Sequence, residues 1–136
     1  MRKFVHAKLH GIHVTGADLD YHGSITLDPD HCEAVGIVPL EFVEVWNKYS
    51  GARISTYVIY GERGSKCCVL NGAAARTCEV GDPLIICSSI YADTSELTTL
   101  RPKIITFNRD NSIADRLVYE TTEQDGKYAF QIKHLG

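Results

Sequence analysis

Short runs of β-branched and aromatic residues, separated by Gly, Pro, Asn and Asp, extend along almost the whole chain. The runs read GIHVT, SITLD, FVEVW, RISTYVIY, KCCVL, PLIICSSI and KIITF. Runs of this length and composition predict β-strands. Strands so short and so numerous cannot each bury a face in one flat sheet, and closing the sheet also hides its edges. The sequence therefore predicts a mainly β fold, either a small closed barrel or a sandwich.

Segments between and after these runs predict the remaining elements. In DPDHCEAVG, Asp28 is a candidate N-cap, Pro29 suits the first helical position and Gly36 suits the end of a short helix. A second short helix is predicted in TSELTTLRP, where it must end before Pro102. The last stretch, LVYETTEQDGKYAFQIKH, alternates on both sides of an Asp-Gly pair and predicts a β-hairpin.

Length and charge limit the class of protein. A chain of 136 residues has the size of one domain, so we expect residues 1–136 to form a single domain. Its 14 Lys and Arg against 17 Asp and Glu give a net charge of −3, and without a basic run nucleic acid is not an expected partner. The sequence has neither an apolar run of membrane-spanning length nor a secretory signal, which predicts a cytoplasmic protein with no membrane partner.

Clusters of histidine and cysteine raise the question of a metal or thiol site. If residues 6–13 were helical, His6, His10 and His13 would share a face and could ligate a metal ion. The segment KLHGIHVT instead has strand spacing, which puts Lys8 and His10 on one face and His13 on the other. This spacing favours hydrogen-bonded or solvated histidines over a metal site. The five cysteines are an odd number without C-x-x-C spacing, which argues against a disulfide framework.

The segment GARISTYVIYGERG carries a candidate substrate-binding face. Arg53, Ser55 and Tyr57 alternate along the predicted strand, which sets a fixed cation beside a phenol. Such a face could hold a carboxylate and deliver a proton next to it. The alternative is a structural strand whose arginine pairs with an acidic neighbour and whose tyrosine fills space. Thr56 points to the opposite face of a regular strand.

The segment LNGAAARTCEVGD places small residues, Asn71 to Ala75, after a strand at a predicted helix start. Exposed backbone N–H groups at such a start suit an anion, and small side chains let a ligand approach the backbone closely. Close packing is the alternative explanation for the small residues. The segment is not a phosphate loop, because the lysine and the spacing of that motif are missing.

The segment DLDYHGSITLD places Gly23-Ser24 where a turn enters a strand. Glycine accepts backbone angles that other residues resist, and the serine hydroxyl lies within reach of the preceding carbonyl. Such a pair is usually turn chemistry. The dipeptide alone therefore leaves open whether its peptide bond has a function.

Three segments carry a resemblance when they are taken together: AKLHGIHVTGADLDYHGSITLD, VWNKYSGARISTYVIYGERGS and LNGAAARTCEVGD. In this order and spacing they resemble the pyruvoyl-dependent aspartate 1-decarboxylases, a family that makes β-alanine for pantothenate and coenzyme A. The resemblance covers roughly residues 1–111 and leaves the tail, residues 112–136, unmatched. It implies a small closed barrel of the double-psi type, assembled as a homotetramer with sites between subunits.

The resemblance implies that the bond between Gly23 and Ser24 breaks by itself. The Ser24 hydroxyl would attack the Gly23 carbonyl to give an ester, and β-elimination would separate a β chain (1–23) from an α chain (24–136). Ser24 would become a pyruvoyl group, whose ketone forms a Schiff base with the substrate amine, without a metal or pyridoxal phosphate. Whether cleavage needs a maturation factor stays open.

The resemblance also implies roles for individual residues. Tyr57 would reprotonate the substrate carbon after CO2 leaves, and Arg53 and Lys8 would supply the positive field that L-aspartate needs. The remaining implied site residues are Thr56, Gly72, Ala73 and Ala74 at the substrate, and Gly23, His10, Thr56 and Asn71 in processing.

Two departures from the family pattern concern the processing region. Gly11 follows His10 where an arginine is common, and His22 precedes Gly23 at a variable position. Two alternatives to the family reaction also stay open. A pocket discriminates a single methylene only weakly, so the same chemistry could act on another acidic amino acid. A barrel with an intact chain could instead bind a small acid or a protein without catalysis.

Overall fold

The computed structural model describes residues 1–135 and consists mainly of β-strands. The strands are β1 (Arg2–His13), β2 (Gly16–Asp18), β3 (Ser24–Leu27), β4 (Phe42–Asn47), β5 (Arg53–Tyr60), β6 (Cys68–Asn71), β7 (Pro83–Ala92), β8 (Lys103–Phe107), β9 (Ile113–Gln124) and β10 (Lys127–His134). Helix α1 covers Pro29–Val35, and two 3-10 helices cover Gly72–Thr77 and Thr94–Thr99. No helix within residues 1–135 is long and apolar enough to cross a membrane. Every run that predicted a strand overlaps one, so the mainly β prediction is confirmed.

The strands form one sheet in the order β10-β9-β8-β1-β7-β4-β5-β3-β6-β2. The parallel pairs are β1 with β8, β2 with β6 and β3 with β5, and the other neighbours are antiparallel. Apolar side chains on one face form the core, and the largest include Leu9, Ile12, Ile25, Leu27, Leu70 and Ile86. The sheet curls around this core into the predicted small barrel, although its edge strands β10 and β2 do not pair over the described residues.

The sequence signals for α1 act as predicted. Asp28 caps the helix by accepting a hydrogen bond from the Asp30 backbone N–H at 2.9 Å, and Pro29 lies in the first turn. Gly36 takes a left-handed conformation with φ of +88°, and its N–H donates to the Cys32 carbonyl. The second predicted helix forms as a 3-10 helix of six residues.

Strands β9 and β10 form the predicted C-terminal hairpin. Its turn residues, Asp125 and Gly126, both have positive φ, at +55° and +76°, as a two-residue hairpin turn requires. Strand β9 pairs with β8, and β8 pairs with β1. The tail is therefore a continuation of the sheet, one strand away from the N-terminal strand that carries Lys8 and His10.

A bulge in β1 overturns the prediction that His10 and His13 lie on opposite faces. The register of β1 with β7 shifts between His10 and Ile12, and Gly11 takes φ of +81°, which glycine accepts readily. Because the bulge inserts one residue, Leu9 and Ile12 both face the core. His10 and His13 therefore share the outer face of β1.

Asp28 also ties the loop before β6 to the start of α1. Its buried carboxylate accepts backbone hydrogen bonds from Gly64 at 3.1 Å and from Lys66 at 2.8 Å, in addition to that from Asp30. Burial alone raises the pKa of this carboxyl, but the three N–H donors outweigh burial and hold its pKa below the ordinary value. The ionised carboxylate thus stabilises the fold.

Replacing Asp28 by Asn keeps the size of the side chain and removes its charge. We expect the free energy of unfolding at pH 7 to fall by about 2 kcal/mol, because hydrogen bonds to a charged acceptor are lost. The pKa of Asp28 is lower in the folded state, so its contribution is present above the unfolded pKa of about 4 and is lost as the pH falls through the folded value. Urea unfolding of the wild type and D28N between pH 7 and 3 measures this difference.

The two unfolding free energies should converge as the pH falls. Glu123→Gln, which neutralises an exposed carboxylate in the hairpin, is the control and should follow the wild-type curve. A difference between D28N and wild type that stays constant down to pH 3 would contradict the stabilising role of the charge.

Candidate active site

Ser24 begins β3, and none of its surface is exposed. Its Oγ accepts a hydrogen bond from the Asn71 Nδ2 at 3.0 Å and donates one to the His22 carbonyl oxygen at 3.0 Å. The Asn71 Nδ2 also donates to the Thr26 Oγ1 at 2.8 Å, which fixes the amide. His22 and Gly23 are exposed and lie outside any strand or helix. The peptide bond before Ser24 therefore joins an exposed loop to a fixed, buried hydroxyl group.

Gly72 packs against the same peptide bond. Its backbone is left-handed, with φ of +64°, and a Cβ added to it would lie 2.8 Å from the Gly23 Cα and 3.0 Å from the Gly23 nitrogen. Both neighbours are backbone atoms that cannot turn away, so only glycine fits here. Gly72 begins the first 3-10 helix, at the predicted helix start. This contact holds the exposed loop against the base of the helix.

A cleft of about 500 Å³ opens beside these residues. Its walls come from the loop before β3, from β4 and β5, from the end of β6, and from the first 3-10 helix. The lining residues are Gly23, Phe42, Ile54, Ser55, Thr56, Tyr57, Asn71, Ala73, Ala74 and Thr77. The fold thus gathers six of the predicted site residues around one cavity, and two more, Ser24 and Gly72, adjoin lining residues in the chain.

Thr56 and Tyr57 both line the cleft, although neighbours on a strand point to opposite faces. Strand β5 pairs with β4 along its first five residues in one register, but it pairs with β3 only from Val58 onward. The edge of β5 that faces β3 is therefore unpaired before Val58, and Ser24 at the start of β3 lies where this unpaired stretch ends. Side chains on either face of β5 can reach a cleft along its unpaired edge. Thr56 and Tyr57 therefore line one cavity without a bulge.

The predicted face of Arg53, Ser55 and Tyr57 is present on β5, opposite alternate residues of β4. The Arg53 guanidinium lies over the Trp46 ring, 4.5 Å from its centroid. The Tyr57 and Phe42 rings pack with centroids 5.9 Å apart. Among the described residues no carboxylate of this chain lies within 4.0 Å of Arg53, so the acidic neighbour of the structural alternative is not found within the chain.

Lys8 is held on β1 in a similar way. Its Nζ donates a hydrogen bond to the Tyr119 hydroxyl at 3.2 Å and lies 5.5 Å from the centroid of that ring. Lys8 and Arg53 make the two cation–π contacts seen in the described part of the chain. Neither forms an ion pair with a carboxylate there. Both charges are therefore available to a bound carboxylate.

His10 lies on the same face of β1 as Lys8. Burial lowers the pKa of His10, and the positive charges of Lys8 and Lys48 lower it further, so its imidazole is mostly neutral near pH 7. Across β7, the sheet register connects His10 with Trp46 and Arg53 on the same outer face. A neutral His10 can donate one hydrogen bond and accept another.

Lys8, His10 and Arg53 do not line the cleft of their own chain. Strand β1 is three strands from β5, which corresponds to about 14 Å along the sheet. Arg53 lies four residues before Tyr57 on β5, which corresponds to about 13 Å along the strand. Within one chain, the predicted processing residues other than His10 therefore lie together at the cleft. The predicted substrate cations, Lys8 and Arg53, lie on the outer face, away from the cleft of their own chain.

Three residues around these sites were not singled out from the sequence. Phe42 lines the cleft with 67% of its surface exposed, Thr26 fixes the Asn71 amide, and Tyr119 holds Lys8. An aromatic residue at the start of the FVEVW run is a visible signal for Phe42. The other two contacts join distant parts of the chain and have no local signal.

The metal and thiol hypotheses concern the histidines and cysteines. Within residues 1–135, no group of three His, Cys, Asp or Glu side chains is arranged to hold a metal ion. All five cysteines are free in the structure.

The chain is similar to known aspartate decarboxylases along most of its length. The model of the aspartate decarboxylase family matches residues 1–114. Aspartate 1-decarboxylase 2 of Mesorhizobium japonicum is 68% identical, over 97% of this chain and 89% of its own length. Aspartate 1-decarboxylase of Xanthobacter autotrophicus is 64% identical, over 98% of this chain and 89% of its own length. That of Beijerinckia indica is also 64% identical, over 100% of this chain and 91% of its own. This chain belongs to the aspartate decarboxylase family.

Proposed function

We propose that this chain cleaves itself between Gly23 and Ser24, converts Ser24 into a pyruvoyl group and decarboxylates L-aspartate to β-alanine and CO2. The observation that carries the proposal is the completely buried Ser24 hydroxyl, held by the Asn71 amide beside the contact between Gly23 and Gly72. Membership of the aspartate decarboxylase family supports the substrate and the reaction.

The first step moves the Gly23 acyl group from nitrogen to oxygen. The Ser24 Oγ attacks the Gly23 carbonyl carbon, a proton passes to the departing Ser24 nitrogen, and an ester replaces the amide. The Asn71 N–H at 3.0 Å fixes the hydroxyl, and Gly72 packs closely against the Gly23 backbone. Gly23 has no Cβ that would obstruct the attack.

Elimination then separates the two chains. Loss of the Ser24 Cα proton expels the Gly23 carboxylate together with Oγ, and water then replaces the Ser24 nitrogen, which leaves as ammonia. The result is a ketone at position 24. Residues 1–23 remain bound after cleavage, because β1 pairs with both β7 and β8. The mature enzyme therefore keeps the strand that carries Lys8.

The residues around Ser24 suit a pyruvoyl group, whose ketone supplies the electron sink that loss of CO2 requires. The small side chains of the first 3-10 helix leave room for a substrate beside it. Tyr57, on β5 next to the start of β3, donates the proton to the carbon that loses CO2. Thr56 and the backbone of residues 72–74 hold the substrate in place.

Arg53 and Lys8 provide positive charge for a substrate with two carboxylates. Each rests on an aromatic ring and forms no ion pair among residues 1–135, so aspartate does not have to displace an acidic neighbour. A strong pair with the departing α-carboxylate would stabilise the reactant more than the transition state. Arg53 therefore binds the β-carboxylate, which stays on the product.

The active unit in this proposal is a cytoplasmic homotetramer with sites between subunits. Support comes from Lys8 and Arg53, which lie apart from the cleft of their own chain, so a neighbouring copy has to complete the site. The outer face that carries both residues then becomes an interface. His10, neutral near pH 7, orients the Gly23 carbonyl across it.

Ser24→Ala removes both the nucleophile and the leaving group, so we expect it to abolish cleavage. Mass spectrometry of the purified wild type should find residues 1–23 and a chain 24–136 that is lighter by one ammonia than its serine form.

Asn71→Ala should slow cleavage about tenfold, because it removes a buried hydrogen bond that positions the Ser24 hydroxyl.

Asn108→Ala, which changes an exposed loop asparagine, is the control and should cleave at the wild-type rate. A requirement for a maturation factor would appear as cleavage only after incubation with an extract of bacterial cells. Wild-type protein that stays a single chain under both conditions would contradict the proposal.

Arg53→Lys keeps the charge but loses the planar group that pairs with a carboxylate through two hydrogen bonds. We expect the KM for aspartate to rise about tenfold, while cleavage at Ser24 proceeds normally. Arg76→Lys, at an exposed arginine of the first 3-10 helix, is the matched control. Loss of cleavage in R53K, with normal aspartate binding by any cleaved fraction, would show that Arg53 serves processing instead.

A site shared between copies predicts complementation. Lys8→Met and Ser24→Ala should each be nearly inactive alone, whereas mixed tetramers from co-expression should contain some complete sites and decarboxylate aspartate. Tyr57→Phe with Ser24→Ala is the control pair, since Tyr57 and Ser24 border the same cleft and cannot complement each other. Equal inactivity of both pairs would argue that each site lies within one chain.

A further inference from the structure

Tyr119 of β9, in the tail of the chain, contacts the predicted substrate cation Lys8. We propose that Tyr119 is a positioning residue for the decarboxylation, one that holds the Lys8 ammonium in place without neutralising it. This inference rests on the proposed function, in which Lys8 contributes to the positive field for aspartate. Tyr119 lies outside residues 1–114, which the family model matches.

The sheet order brings the two residues together. Lys8 on β1 is opposite Ile104 on β8, and Ile104 is opposite Leu117 on β9. Side chains at alternate positions of a strand share a face, so Tyr119 lies on the face of Leu117 and Lys8. The hydrogen bond of 3.2 Å and the ring contact of 5.5 Å join residues that are 111 positions apart.

Tyr119 is itself fixed by contacts on three sides. Its backbone N–H donates to the Pro102 carbonyl at 2.9 Å. Its ring meets the Phe130 ring edge-on, with centroids 5.3 Å apart. Its strand pairs with β8 on one side and β10 on the other. The phenol therefore presents its hydroxyl and its ring to Lys8 from a rigid support.

The contact with Tyr119 orients the Lys8 ammonium group without neutralising its charge. A carboxylate beside Lys8 would compete with the carboxylate of aspartate for the same ammonium group. A phenol and a π-face are neutral, so they restrict the long lysine side chain and leave its charge free. By contrast, Lys3 on the same strand lies 3.9 Å from the carboxylate of Glu44. The charge of Lys8 is thus available to a bound anion, whereas Lys3 is already paired with a carboxylate.

Tyr119→Phe tests the hydroxyl, because it keeps the ring and its packing on Phe130. We expect the KM for aspartate to rise about three- to tenfold, with kcat within about twofold and with unchanged cleavage at Ser24. The dissociation constant of succinate, a dicarboxylate without an amine, should rise by a similar factor in calorimetry. Tyr119→Leu, which also removes the ring, should raise both values further.

Two controls separate positioning from a structural role. Tyr128→Phe makes the same chemical change elsewhere in the hairpin, at an exposed position, and should leave the KM unchanged. In a Lys8→Met background, Tyr119→Phe should have no further effect on the dissociation constant of succinate, because the two residues act through one contact.

Each outcome has a distinct meaning. A wild type that cleaves and decarboxylates aspartate, combined with a Y119F variant of wild-type KM and succinate affinity, would overturn only the role of Tyr119. Additive effects of Y119F and Lys8→Met would also overturn it. A wild type that neither cleaves nor decarboxylates would instead refute the proposed function before any variant is compared.

Discussion

The hydrogen bond from the Asn71 amide to the Ser24 hydroxyl is the contact on which the candidate site depends. Strand pairing creates it, since Ser24 and Asn71 are opposite each other where β3 and β6 meet. The next residue, Gly72, turns back over Gly23 in a conformation that glycine alone accepts at that distance. Buried strands therefore fix the hydroxyl, while the peptide bond before it belongs to an exposed loop. That arrangement suits a peptide bond that is cleaved once and does not form again.

Charge in this protein is distributed so that the proposed substrate cations remain unpaired. The chain carries a net charge of −3, yet Lys8 and Arg53 rest on rings and not on carboxylates over the described residues. A ring restricts a long cationic side chain without cancelling its charge. The platforms come from different elements, Trp46 from β4 and Tyr119 from the C-terminal hairpin. The hairpin is thus integrated with the outer face and is more than an added tail.

Local signals were sufficient to predict much of the fold. Helix α1 followed from its cap, its proline and its terminal glycine, and the hairpin turn followed from Asp-Gly, because these residues act on the backbone next to them. The small residues after Asn71 correctly indicated a helix start. The bulge at Gly11 was not predicted. Because one inserted residue changes the face of every later residue in the strand, the predicted face of His13 was wrong.

Contacts between distant strands could not be predicted in the same way. The joint access of Thr56 and Tyr57 to one cleft depends on where β3 stops pairing with β5, which is a property of the sheet and not of either segment. The contact of Lys8 with Tyr119 depends on a strand order that places β8 between β1 and β9. The resemblance of three segments to a known family gave the residue roles, which remain predictions for the variants to test.

The most direct measurement of the central claim is chemical trapping of residue 24. Purified protein is treated with a hydrazine that condenses with ketones, and the chain that begins at position 24 is then digested and sequenced by mass spectrometry. Self-cleavage at Ser24 predicts a hydrazone on its first residue, absent from S24A, together with loss of decarboxylation in proportion to labelling. An unlabelled residue 24 in protein that still decarboxylates aspartate would contradict it.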